Sequence, residues 1–286
     1  TGPTIAPTLI TRHTLAEQRT RPRILVAEDN VVNQKLAVRM LDRLGYQPDI
    51  VSNGQEAVAA FERGLYAAIV MDCQMPTMDG YEATRRIREQ EQQPDASDTR
   101  AHIPIIALTA NAMPGDRERC KAVGMDDYLS KPVKTDDLGR LLQRWAPLAT
   151  PDHAPAPTPP REMTKTDARV FDASTMLVNI GGDVELFDQL IRLFLERHRI
   201  MVQEIEAAIK QADGVALERA AHSLKGTAGN LCAPEVVLLA SQLEANGRLG
   251  TLAEAPALFA QLEHTVQQLI VVLERQITPA DPAQSR

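Results

Sequence analysis

Short apolar runs alternate with amphipathic segments through the first half of the chain. Residues 24–27, 67–71 and 103–108 are almost wholly apolar, 128–129 is a weaker run, and another lies near 48–52. Strands buried on both faces read this way. Between them apolar residues recur at helical spacing over 31–44, 55–63, 81–92, 114–123 and 135–145. Strands alternating with helices predict five right-handed βα units in an open, doubly wound parallel sheet of α/β class. Beyond residue 170 the alternation stops. Helical patterns at 173–179, 184–211, 215–229, 235–246 and 255–276 remain, joined by connections as short as Asp213-Gly214. They predict an all-α unit, an antiparallel four-helix bundle opened by one short helix. Asp183, after Gly181-Gly182, is the expected N-cap of the long helix.

Two stretches interrupt these patterns. Residues 1–22 carry three prolines and one short amphipathic patch at 10–19, and read as a linker. Six prolines fall within 146–161 among alanines and threonines, a composition that favours extended, semi-rigid backbone. The expected organisation is a linker at 1–22, an α/β domain at 23–145, a proline-rich linker at 146–170, a helical domain at 171–277 and a tail at 278–286. A length of 286 residues suits two domains, each able to bury a core of its own. The opening Thr1-Gly2-Pro3 reads as the start of an excised piece.

Composition narrows the function. A net charge of −7, with both halves mildly acidic, argues against a nucleic-acid partner and against contact with anionic lipid. No apolar stretch reaches the ~20 residues needed to span a bilayer. Cys73, Cys120 and Cys232 lie far apart without metal-ligand spacing, which fits a reducing cytoplasm and packing roles.

The polar residues that follow the strand runs carry the chemistry. Glu28, Asp29, Asp72, Thr109 and Lys131 each stand just past a run. In an open α/β sheet such positions meet in one crevice, although these span about 100 residues of sequence. Three carboxylates held together repel one another and call for a hard divalent cation, for which Mg²⁺ is suited. Asp72 is then a candidate nucleophile toward phosphorus, with Lys131 and the Thr109 hydroxyl neutralising phosphoryl oxygens.

This set resembles the receiver domains of two-component signalling over about residues 23–145. Glu28-Asp29 stands at the acidic metal pair, with Glu28 where Asp is common. Asp72, in Ile-Val-Met-Asp-Cys-Gln-Met-Pro-Thr-Met-Asp-Gly, matches the phosphoacceptor; Thr109 lies in Ala-Leu-Thr-Ala and Lys131 in Ser-Lys-Pro. The resemblance implies a flavodoxin-like strand order, a metal ligand in the backbone carbonyl of Gln74, and a conformational switch at Tyr128. Pro76 and Gly80 match the loop that carries that carbonyl. The Lys131-Pro132 bond would be trans on base rates, since about 5–6% of such bonds are cis; the resemblance implies cis. Gln74 also argues against a phosphatase of the haloacid-dehalogenase type, which usually carries a second Asp there.

In the helical half, residues 221–229 read Ala-His-Ser-Leu-Lys-Gly-Thr-Ala-Gly. At about 100° per residue, Leu217, Ala221, Leu224 and Ala228 share one side, while Gly226 and Gly229 fall within about 40° of His222. His222 is therefore expected to face solvent. Each glycine inside a helix costs up to about 1 kcal/mol, so two beside the histidine point to close approach of a partner. Lys225, one turn on, can meet a phosphate. An imidazole can carry a phosphoryl group without a metal. The segment resembles the signature of histidine phosphotransfer (HPt) domains, and the resemblance covers about 100 residues.

Together the halves resemble the C-terminal end of a bacterial tripartite hybrid sensor histidine kinase. That resemblance implies a phosphorelay: a kinase domain upstream in the parent chain loads Asp72, Asp72 passes the group to His222, and His222 passes it to a separate downstream response regulator. It implies a cytoplasmic segment of a parent anchored in the inner membrane. No Gly-rich ATP loop is present, so the segment would relay but not initiate transfer. The alternative is a receiver that controls the kinase by interaction, with the HPt domain loaded by another partner.

Overall fold

The computed structural model describes residues 21–92, 102–109, 114–148 and 170–277. The patch at 10–19 lies outside the described residues, as does most of the proline-rich stretch. In chain order the first half contains β1 (Arg23–Ala27), α1 (Val31–Arg43), β2 (Gln47–Val51), α2 (Gly54–Arg63), β3 (Ala68–Asp72), α3 (Gly80–Glu91), β4 (Ile105–Thr109), α4 (Pro114–Ala122), β5 (Asp127–Ser130) and α5 (Thr135–Trp145). The strands form one parallel sheet in the order β2-β1-β3-β4-β5. β1, β3 and β4 lie in its interior, where the alternative to an apolar side chain would be an unpaired polar one, and Ile24, Leu25, Ile69, Met71, Ile105 and Ile106 are fully buried there.

Helix starts are set by short polar side chains. Asn30 caps α1 by accepting from Val32 and Asn33 N–H groups, Asn53 caps α2 from Glu56 N, and Asp79 caps α3 from Glu82 N. The Lys131-Pro132 peptide bond is cis.

The second half is helical: α6 (Ala173–Asn179), α7 (Val184–Lys210), α8 (Gly214–Asn230), α9 (Pro234–Leu249) and α10 (Ala255–Gln276). Asp183 and Asp213 cap α7 and α8. The sequence pattern ends the fourth helix at residue 246, whereas α9 runs on to Leu249 and stops at Gly250 with φ +70°. Gly247 does not break it. A Cβ there would lie 2.6 Å from both Gly214 O and Glu218 N, so the glycine lets α8 and α9 touch. Among the described residues no helix is long and apolar enough to cross a membrane.

The two cores are not separate. One apolar cluster runs from Val26, Leu36 and Met40 through Leu138 and Leu142 to Phe171, Leu190, Leu224 and Leu269, so the sheet face under α1 and α5 continues into the bundle. A second cluster, on the α2–α3 side of the sheet, belongs to the first half alone. The bundle sits on the first domain and shares part of its apolar interior.

Candidate functional site

β1 and β3 end side by side, which places Glu28, Asp29 and Asp72 at one edge of the sheet. One oxygen from each lies within 4.8 Å of the others. Glu28 and Asp72 are buried, and Lys131, arriving after β5, lies between them: Nζ is 2.8 Å from Glu28 Oε2 and 2.5 Å from Asp72 Oδ2. Burial pushes the Asp72 carboxyl up to about 7, against the pull of Lys131 and with the push of Glu28. Burial and Glu28 raise Asp29 to about 6. Burial also works against the charge on Lys131, but Asp72 and Glu28 outweigh it and hold the ammonium above its usual range.

The loop after β3 is shaped around Asp72. Gln74 N donates to Asp72 Oδ1 at 3.1 Å, and Gly80 N donates to Cys73 O at 3.2 Å. A Cβ on Gly80 would lie 2.2 Å from Asp72 O, so no other residue fits without moving the strand end. Thr109 is buried beside the carboxylates. Tyr128 is half-buried, its ring 5.3 Å from the Arg117 guanidinium. Cys73 and Cys120 are buried with their sulfurs 3.9 Å apart.

The bundle is seated directly over this edge. Asp72, Asp29, Gln74 and Thr109 line the same cleft, about 510 Å³ in volume, as His222, Lys225 and Glu244. The expectation that His222 faces solvent is therefore corrected: its residue exposure is 9%. The helical wheel turned it away from the bundle core, and the first domain together with α9 covers that side. His222 Nδ1 is 2.8 Å from Glu244 Oε1, and Lys225 Nζ bonds Glu244 Oε2. Burial raises the Glu244 carboxyl, but the hydrogen bonds from His222 and Lys225 win and hold it at about 2. An ionised carboxylate only accepts, so Nδ1 carries a proton toward Glu244, and in a neutral ring Nε2 then holds the free electron pair. Nε2 is buried and, among the described residues, has no hydrogen-bond partner.

Amides join the domains around this centre. The Asn30 side chain caps α1 with its oxygen and donates with its nitrogen to Ser223 Oγ at 2.9 Å and Thr227 Oγ1 at 2.8 Å. Asn33 donates to Glu28 Oε1 at 2.8 Å and accepts from Asn230 Nδ2 at 2.7 Å. Gly226 lies against Asn33, where a Cβ would be 3.4 Å from Nδ2, and a Cβ on Gly229 would be 4.0 Å from Pro132 Cδ. The sequence reading missed Asn30, Asn33, Asn230 and Glu244. Glu244 had a signal: it is a carboxylate one position beyond Leu243 in the buried stripe Val236, Ala240, Leu243, Gly247. Lys225, read as a phosphate contact, lines the cleft and bonds that carboxylate.

Family models match both parts: the response regulator receiver domain over residues 24–143 and the Hpt domain over residues 189–271. The chain is 31% identical over 261 residues to the virulence sensor protein BvgS of Bordetella pertussis, covering 90% of this chain and 21% of that protein. It is 29% identical to the sensor histidine kinase GacS of Pseudomonas protegens, covering 87% of this chain and 26% of that protein. The chain thus spans about a fifth to a quarter of these relatives. Among solved structures, the receiver domain of a sensor histidine kinase from Pseudomonas aeruginosa, with a magnesium ion in its active-site cleft, is 51% identical; the match covers 44% of this chain and 97% of that one, with a TM-score of 0.39.

Proposed function

The chain is a receiver domain followed by an Hpt domain, a pairing found in hybrid sensor kinases of two-component phosphorelays, and from this we propose that its two domains form one internal transfer step. Asp72 accepts a phosphoryl group from a histidine of an upstream kinase domain. His222 Nε2 then attacks phosphorus, the bond from phosphorus to the Asp72 oxygen breaks, and its electron pair returns to the carboxylate. The observation that carries this reading is that Asp72 and His222 line one cleft, with Nε2 buried and without a hydrogen-bond partner among the described residues.

Each residue has a part in the step. The Nδ1 proton stays on the ring and is held by Glu244, whose charge offsets that of the phosphorylated imidazole. Lys131 receives the carboxylate charge restored to Asp72, and Thr109, which lines the same cleft, donates its hydroxyl to a phosphoryl oxygen. Lys225 anchors Glu244 and balances its charge. Tyr128 follows Thr109 as the phosphoryl group draws it inward. Glu28, Asp29 and Asp72, with the Gln74 carbonyl, would hold Mg²⁺, and the clustered carboxylates suit that hard cation. Bound there, Mg²⁺ would neutralise charge on the phosphoryl oxygens. The group leaves His222 for a separate response regulator, and the segment works in the cytoplasm.

Incubation with Mg²⁺ and acetyl phosphate, beside Asp72→Ala and His222→Gln variants, tests the reading. The expected product is an acid-labile, base-stable phosphate that needs both residues. A base-labile phosphate on Asp72 alone would overturn it.

A further inference from the structure

The domains also meet at a second place, away from the reacting atoms. α1 ends with Arg39 and Arg43, and the turn from α6 to α7 faces it. Arg39 NH2 is 3.0 Å from Glu185 Oε2 and 3.9 Å from Asp183 Oδ2. Gly181, at φ +71°, packs so closely on Arg43 that a Cβ would lie 3.0 Å from the guanidinium carbon. Beside them Thr135 Oγ1 donates to the carbonyl of Asn179 at 3.0 Å in a buried contact. Arg39 stands six residues beyond Asn33, about 9 Å farther along the helix, and none of these residues lines the reaction cleft.

Charge explains why a contact is needed here. The chain carries −7 overall, and each half has more acidic than basic residues, 19 against 16 over 23–145 and 14 against 8 over 171–277. At long range the halves repel. The end of α1 offers positive charge in Arg39 and Arg43, and the start of α7, with Asp183 as cap and Glu185 in the first turn, offers the opposite sign. Arg39 meets these acids with its Nε buried and, among the described residues, without a hydrogen-bond partner.

We propose that Arg39 and Arg43 form a recognition surface, distinct from the transfer centre, that fits an HPt bundle whose first long helix opens with acidic residues behind a glycine turn, and so favours this chain's own bundle. The inference rests on the internal relay. One half-exposed ion pair contributes little, but reversing one charge puts like charges in contact, and reversing both restores attraction.

The test uses the whole chain. Arg39→Glu and Glu185→Arg are each expected to slow transfer from Asp72 to His222 about tenfold and to raise amide exchange over residues 221–230, while leaving acetyl-phosphate loading of Asp72 unchanged. The double variant should recover both within about twofold. Transfer between chains reads selectivity: a His222→Gln/Arg39→Glu donor should prefer an Asp72→Ala/Glu185→Arg acceptor to an Asp72→Ala one. Single variants that match the unaltered chain, or a double variant no better than either, overturn the proposal. If the unaltered chain loads Asp72 but never His222, the relay fails instead, and amide exchange still decides the surface.

Discussion

Asn33 Oδ1 accepts a hydrogen bond from Asn230 Nδ2 at 2.7 Å, while the other end of the Asn33 amide holds Glu28. A polar chain thus runs from Asp72 through Lys131, Glu28 and Asn33 into the HPt helix. Asn230→Leu would leave the Asn33 oxygen unpaired at a buried junction, a cost of about 1–3 kcal/mol charged to docking. Transfer to His222 is expected to slow about tenfold or more while Asp72 still loads from acetyl phosphate. Equal transfer rates would show that this bond does not couple the domains.

The same contact makes an opposite prediction for export. In the docked arrangement His222 is 9% exposed, so a separate regulator reaches it only after the bundle leaves the receiver. Chains carrying phosphate on His222 should therefore discharge faster to an added regulator with Asn230→Leu than without it. Slower discharge would mean that export does not require undocking.

Glu244 is a positioning residue, since it acts through the imidazole. Glu244→Gln keeps a hydrogen-bonding group but loses the charge that stabilises a phosphorylated ring. Formation of phosphohistidine is expected to fall about tenfold to a hundredfold, with Asp72 loading unchanged. Glu244→Ala should lose more and should broaden the imidazole tautomer signals seen by nitrogen NMR. Unchanged tautomer signals in both variants would remove Glu244 from this role.

Acid should expose the same carboxylate. Glu244 is held at about 2 in the folded chain, below its ordinary 4.5. Its contribution is complete above about pH 4.5 and is lost as pH falls toward 2, on the order of 3 kcal/mol in all. Urea unfolding at pH 5 and pH 3 should show a larger loss for the unaltered chain than for Glu244→Gln. Equal losses would place the acid sensitivity elsewhere.

Gly80→Ala tests the loop that shapes the phosphoacceptor. The added methyl would meet the Asp72 carbonyl, and overpacking of this kind costs about 1–3 kcal/mol. Lower stability together with reduced Asp72 phosphorylation is expected. Normal loading would show that the strand end can shift without harm.

Much of this protein is written in local sequence. Apolar runs of strand length, separated by helical periods, determine the parallel sheet, because a strand covered on both faces must be apolar throughout. Strand-end placement brings Asp72 to Glu28 and Asp29 without any knowledge of packing. The helical wheel separates His222 from Leu217 and Leu224 correctly, since that depends only on 100° per residue. What the wheel cannot supply is the second body. Whether the polar side of α8 meets water or another domain depends on contacts between residues nearly 200 positions apart, such as Asn30 with Ser223. Nothing local marks Asn30 as a contact between the halves, because its oxygen is taken up in capping α1. Only the tertiary structure gave its nitrogen a partner, joined the two cores and buried the histidine, for each of these is a property of surfaces that the folded halves create together.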